Sequence, residues 1–296
     1  MTPSAPEHAP RQIPRRYLAL GLIVVAIVLL GALVLVRDNS GPSSTSTVET
    51  FTPAPSSLIS TMAQVPASVF NAVGVSSPAN PVTAPHPVGT GNAPLWEASQ
   101  NGNPVQPVVF FYGAEFAPYA AAERWPLVLA LSRFGRFSKL GVMQSSGTTA
   151  FANLSTFTFW QNSYSSKYLI LESVERYGSL NPTGGRYLGL QRPDARQAAA
   201  VAANGSGKNT FAVLDVANRW ALTGASFSPT VLAGLSQDQI AGYLDTAAAP
   251  LTQAVVAAAN EITAAICSVD GDRPDAVCES PGVLAADALL KIMPPH

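Results

Sequence analysis

The sequence predicts a mixed α/β domain with helical additions, carried behind a single N-terminal transmembrane helix. Three observations predict it. Tyr17 to Val36 is a run of 20 residues without a charge, long enough as a helix to span a bilayer core of roughly 30 Å. Residues 108 to 131, VVFFYGAEFAPYAAAERWPLVLAL, read as a buried strand, a tight turn and a helix in immediate succession. The C-terminal third supplies Ala-rich segments with apolar residues at helical spacing.

Residues 1–16 are polar, Pro-rich and basic, and read as a short cytoplasmic tail. Arg11, Arg15 and Arg16 precede the apolar run, whereas Arg37 after it is neutralised by Asp38, so the positive-inside bias places the N-terminus in the cytoplasm. The reading is therefore a plasma-membrane protein whose domain lies outside. A cleaved signal peptide is the competing reading, but the run is longer than an ordinary h-region and VLVRDNSG offers no convincing cleavage site.

With residues 17–37 as the anchor, residues 38–56 turn to Ser, Thr, Pro and Gly, the composition of a flexible tether. The extracytoplasmic domain then runs over 57–296. Ser57 to Gly74 carries a helical stripe interrupted by Pro66, a kinked amphipathic helix that packs on the domain or lies on the membrane surface. Val108 to Tyr112 is the apolar strand, and the helix starts near Pro118. Arg133 to Lys139 marks a helix end and turn. Strands follow at Ser155 to Trp160 and Lys167 to Glu175, separated by a polar turn at Asn162 to Ser166. Residues 178–193 read as a Gly/Pro-rich loop, Arg192 to Asn204 as a helix stopped by Gly205, and Thr210 to Val216 as a strand. Asn218 to Pro229 reads as turn and loop. Ser236 is placed to cap a helix beginning QDQIAGYL, Leu251 to Cys267 is a long helix, residues 268–279 a polar loop, and Gly282 to Met293 a terminal helix.

Composition excludes several functions. The formal net charge is -1, and setting aside Arg11, Arg15, Arg16, Arg37 and Glu7 leaves 13 basic against 17 acidic residues, which argues against a nucleic-acid partner. His8, His86 and His296 are scattered in tails and loops, so neither a His-based triad nor a metal site is expected, and no cofactor is implied. GSGKN at 205–209 fails as a phosphate loop, with Ala202 at the first glycine position and Asn209 at the hydroxyl position. Gly224 to Ser228, GASFS, is not a nucleophile elbow. Glu115 and Glu123 flank the turn, but Glu123 beside Arg124 reads as a helix-surface pair rather than an acid/base couple. Asp215 reads as a polar residue that holds a neighbouring loop. Cys267 and Cys278 are the chain's two cysteines; in an oxidising compartment they read as a structural staple around a loop of about 10 residues, and less readily as a redox pair.

The blocks GAEFAPYAAAERW, RFGRFSKL, FTFWQNSYSSKYLILESVE, LDVANRW and ANEITAAIC followed by VC resemble, in order, a thioredoxin-like family designated domain of unknown function 929, over roughly residues 57 to 285. In that family the first block reads G-A-E-[YF]-C-P-[YF]-C-A-A-E-R-W, and a proline stands three residues before the Asp of the fourth. The resemblance implies a thioredoxin-like fold whose redox site is degenerate here at Ala117, Pro118, Tyr119, Ala120 and Ala212. Ala117 and Ala120 stand where the family has cysteine, and Ala212 where it has the proline facing the disulfide. Without sulfur the site has neither nucleophile nor leaving group for thiol exchange. With the redox site lost no enzyme is expected, and the role expected is interaction, as an accessory or scaffold subunit of an envelope membrane complex, with a transporter as one candidate partner. The alternatives are an extracytoplasmic peptide-binding or holdase-like module using Phe116 and Tyr119, and residual exchange through Cys267 and Cys278.

Overall fold

The computed structural model describes residues 48–89, 93–100, 102, 104–180, 185–205, 207 and 210–291. The predicted tail, the membrane helix Tyr17 to Val36, the tether up to residue 47, His8, His296, Lys208 and Asn209 lie outside the described residues. The chain divides into residues 1–45 and 46–296, and every element named below belongs to the second unit.

In chain order the elements are α1 Ser56–Ala63, α2 Ala67–Val73, β1 His86–Pro87, β2 Glu97–Ala98, β3 Gln106–Gly113, α3 Pro118–Leu131, β4 Gly135–Gln144, β5 Ser155–Ser166, β6 Ile170–Glu175, α4 Ala195–Asn204, β7 Val213–Val216, β8 Trp220–Thr223, a 3-10 turn Pro229–Leu232, α5 Gln237–Tyr243, α6 Pro250–Asp270, α7 Asp275–Cys278 and α8 Pro281–Leu290. This is a mixed α/β architecture built on β3. Strand β6 pairs it in parallel, Val108 opposite Ile170, and β7 pairs it antiparallel, Val109 opposite Val216. Strands β7 and β8 form a hairpin, and β1 closes that edge.

Every residue of β3 is buried, which is why its sequence is a continuous apolar run rather than an alternating one. Val109 and Phe111 enter the main core with α3 and α6, while Val108, Phe110 and Tyr112 enter a smaller core with Trp96, Ile170, Val174 and Ala200 of α4. Helix α6 is long and apolar enough to cross a membrane, yet most of it is buried as the core helix of this domain. Ser236 caps α5 through a capping box with Gln239, and α4 starts with another, Asp194 with Gln197.

Several predicted boundaries are corrected. The kinked helix 57–74 is two helices, α1 and α2, because Pro66 takes the N-cap of the second. The part of the tether that is described is docked: the Val142 N–H donates to the Thr52 carbonyl and the Ala54 N–H to the Leu140 carbonyl, both at 2.8 Å. Backbone pairing with β4 and the Phe51 ring, set edge-on to Trp160 at 6.4 Å, hold it, and Gly141, whose Cβ would collide with the Thr158 methyl and the Phe51 ring, permits the approach.

Arg133 to Lys139 and Asn162 to Ser166, read as turns, are largely strand, the outer half of the β4–β5 hairpin. In its outer half β5 alternates exposed Gln161, Ser163 and Ser165 with half-buried Asn162, Tyr164 and Ser166, and Tyr164 packs on the buried Phe137. Strand β8 replaces part of the loop predicted at 218–229. It is reached by a tight turn in which Ala217 and Asn218 both have positive φ, 52° and 61°. Residues 268–279 are not all loop: α6 continues to Asp270, and α7 occupies Asp275–Cys278. The Cys267–Cys278 bond, Cα atoms 5.7 Å apart, ties these two helices together.

Candidate functional site

The turn from β3 into α3 is fixed by its backbone. The Glu115 N–H donates to the Tyr177 carbonyl at 2.8 Å, and the Ala117 N–H to the Ala114 carbonyl at 3.1 Å. Helix α3 begins with Ala117 at the N-cap and Pro118 at the first helical position, and no side chain caps it. Phe116, Ala117, Pro118, Tyr119 and Ala212 all line one open cavity of about 650 Å³. Ala120 does not; it is wholly buried on the inner side of the helix. Tyr119 is 49% exposed, its ring set edge-on to Phe151 at 6.1 Å, whereas Phe116 is half-buried. Of the predicted site residues, Phe116, Ala117, Pro118, Tyr119 and Ala212 thus meet around one cavity, and Ala120, Cys267 and Cys278 do not line it.

On the far side of Phe116 lies a second cavity, of about 830 Å³, whose lining includes Tyr112, Arg176, Tyr177, Arg186, Tyr187 and Phe211. Phe116 and Phe211 belong to both cavities and meet edge to face at 5.2 Å, so the two form one groove parted by a pair of rings. Phe116 stacks on Tyr187 at 3.9 Å and 7°, and Tyr177 meets Phe211 at 5.6 Å. The Arg176 guanidinium lies 4.3 Å over the Tyr177 ring, and its Nη1 donates to the Gln191 carbonyl at 3.3 Å. Burial raises the Tyr112 pKa. The sequence singles out Phe116 and Tyr119, by their place at the turn, but neither the rings of Tyr177, Tyr187 and Phe211 nor the two arginines. One signal does point to the arginines and tyrosines: Arg-Tyr occurs twice in RYGSLNPTGGRY, at 176–177 just before, and at 186–187 within, what reads as a plain glycine-rich loop.

Behind the groove the charged residues are structural. Glu123 and Arg124, read as a surface pair, are both buried. Arg124 donates Nε and Nη2 to Glu175 at 2.9 and 2.7 Å, and Nη2 also to the Ala114 carbonyl at 3.1 Å. Glu123 instead accepts from the Ser226 N–H at 2.7 Å and the Ser226 hydroxyl at 3.1 Å; burial pushes its pKa up to about 8. Glu115 accepts from the Thr158 hydroxyl at 2.5 Å, and burial, followed by the nearby Glu175, raises its pKa to about 7. Glu115 and Glu123 thus accept from different donors, Thr158 and Ser226. Asp215 holds the β7–β8 turn by accepting from the Asn218 N–H at 2.7 Å and from Asn204 at 2.8 Å. Trp125 is core, its indole N–H donating to the Ser155 carbonyl at 3.0 Å.

His86 lies in β1, and among the described residues no group of three His, Cys, Asp or Glu could hold a metal ion. Neither bonded cysteine lines the groove.

Fold and site together define an α/β domain with an aromatic groove over a strand–helix turn. Residues 97–192 match the model of a family described as domain of unknown function (DUF929). The match is narrower than the resemblance over 57–285: it takes in the turn and both Arg-Tyr pairs, and leaves out Ala212 and the disulfide. No curated protein and no solved structure matches the chain.

Proposed function

We propose that this is a single-pass membrane protein whose extracytoplasmic domain is thioredoxin-like and works as a non-catalytic binding module, an accessory subunit of an envelope membrane complex. The strand plan supports the fold: a central strand leading into the site helix, a parallel neighbour on one side, and an antiparallel hairpin on the other, with Ala212 at its start. One observation carries the function. Ala117 and Ala212, which the family resemblance places where a thiol and its facing proline would stand, line a cavity whose other walls include the rings of Phe116, Tyr119 and Phe211. Methyl groups cannot attack or leave, whereas aromatic rings bury large area at low entropic cost and anchor protein partners.

The test is purification of the full chain in mild detergent, followed by mass spectrometry. A stoichiometric membrane partner is expected, lost when Phe116 and Tyr119 are both changed to Ala; recovery of the protein alone would overturn the reading. The openness of the groove also favours a second reading, a holdase for unfolded chains. That reading requires affinity for a reduced, unfolded model protein that falls in the same double variant. Insulin reduction separates both from residual thiol chemistry: activity above background that disappears in Cys267→Ser would make the bonded pair a redox centre.

A further inference from the structure

The charge of the groove runs against that of the chain. Among the described residues, the charged side chains lining its two cavities are Arg176 and Arg186, and the lining includes no Asp or Glu, while the chain beyond residue 37 carries 13 basic and 17 acidic residues. Arg176 is half-buried and forms no ion pair among the described residues. Its contact with the Gln191 carbonyl uses one of the five N–H donors of a guanidinium, and the group sits 4.3 Å over the Tyr177 ring. A guanidinium at a cavity wall suits a carboxylate, a group that arginine meets with two parallel hydrogen bonds.

We infer that the groove takes an extended peptide segment in which a carboxylate side chain neighbours an aromatic or aliphatic one, the carboxylate meeting Arg176 and Arg186 and the apolar side chain entering the cavity beside Ala117 and Ala212. This rests on the binding-module reading above and adds the chemistry of the partner. Two features favour a protein segment over a single small anion. The groove continues past the Phe116–Phe211 pair into a second cavity, and each cavity lies within the roughly 300–1,000 Å³ of an ordinary ligand site, so side chains on both sides of an extended backbone find room.

The experiment uses the full-length protein in detergent and two fluorescein-labelled octapeptides. One alternates glutamate with phenylalanine and leucine; the other is its glutamine isostere. Fluorescence anisotropy is expected to show the acidic peptide binding at least tenfold tighter, with the advantage shrinking as salt is raised. The Arg176→Gln, Arg186→Gln double variant removes the acidic peptide's advantage over the isostere, and an unchanged melting temperature reports that the domain is still folded; a tenfold advantage that survives in the folded double variant would overturn the assignment of the arginines. Equal binding of both peptides by the unaltered protein would overturn the carboxylate preference and leave the binding module standing. Binding of neither would overturn both, and binding of anionic lipid vesicles in their place would reassign the arginines to a membrane surface.

Discussion

The first two turns of helix α3 are built on opposite terms. Its first turn, Ala117 to Ala120, offers a proline, two methyl groups and one exposed tyrosine near an open cavity, and no side chain caps it. One turn on, Glu123, Arg124 and Trp125 are buried, and each hydrogen-bonds a segment far along the chain: the Ser226 loop, the end of β6 and the start of β5. The contrast shows where the fold is specified. The second turn positions the helix against the sheet, and the first carries little of that work. The chemistry of the first turn can therefore vary while the scaffold stands.

The sharpest way to break this contrast is Arg124→Ala. It leaves Glu175 buried with only the Phe159 N–H, 3.1 Å away, among its present side-chain partners, and removing one member of a buried pair costs about 3–5 kcal/mol. A large fall in melting temperature is expected. Arg124→Met combined with Glu175→Leu should recover most of it, since Nη1 of Arg124 already lacks a partner and the pair is imperfectly satisfied. A loss below about 1 kcal/mol in the single variant would remove the distinction between the two turns.

Next in size is the bond joining α6 to α7. Its sequence separation is 11, and on the loop-entropy model its loss in Cys267→Ser, Cys278→Ser costs about 3 kcal/mol. The melting temperature should fall while peptide binding at the groove stays as it was, because neither cysteine lines it.

The buried carboxylates make a pH-dependent version of the same comparison. Glu123 has its pKa raised from 4.5 to about 8 in the folded state, so the native protein keeps a proton that the unfolded chain releases. Its stabilisation is complete below about pH 4.5 and is lost as pH rises through about 8. Between these limits the slope is about 1.4 kcal/mol per pH unit for each such group. Glu261 and Glu115, both raised to about 7 chiefly by burial, add to the lower part of the window. Melting temperature is thus expected to fall steadily from about pH 5 to about pH 8. Glu123→Gln should flatten the upper half, and an unchanged slope would mean that Glu123 is ionised in the folded protein.

How much of the molecule is legible in its sequence follows the same division. β3 and α3 can be read because burial on every side leaves an unbroken apolar run, and the Ser236 cap because its partner lies three residues on. Glu123 and Arg124 mislead because adjacent opposite charges on a helix look like a solvated pair; their partners are 103 and 51 residues away, and no local pattern announces them. Strand β8 is hidden by its four-residue length, and the outer half of β5 by serines on a strand with a single neighbour. The groove is half visible: Phe116 and Tyr119 draw attention by lying at the turn, but Tyr187 and Phe211 join Phe116 only through folding.

The smallest expected effect tests the first turn itself. Ala117→Cys adds one sulfur at a buried position beside the cavity, 6% exposed against 0% for Ala120, so it should cost less than the same change at Ala120, below about 1 kcal/mol. Ala120→Cys must place its sulfur in a filled interior and should cost about 1 kcal/mol or somewhat more. The thiol introduced by Ala117→Cys would stand at the N-terminus of α3, where unpaired backbone N–H groups favour the thiolate, so its alkylation rate should titrate below the ordinary thiol value of about 8.5. An ordinary titration would show that the helix end does not supply the field a redox turn needs. A depressed one with unchanged melting would show that the helix end still supplies the field a reactive thiolate needs, although the positions of Ala120 and Ala212 remain altered.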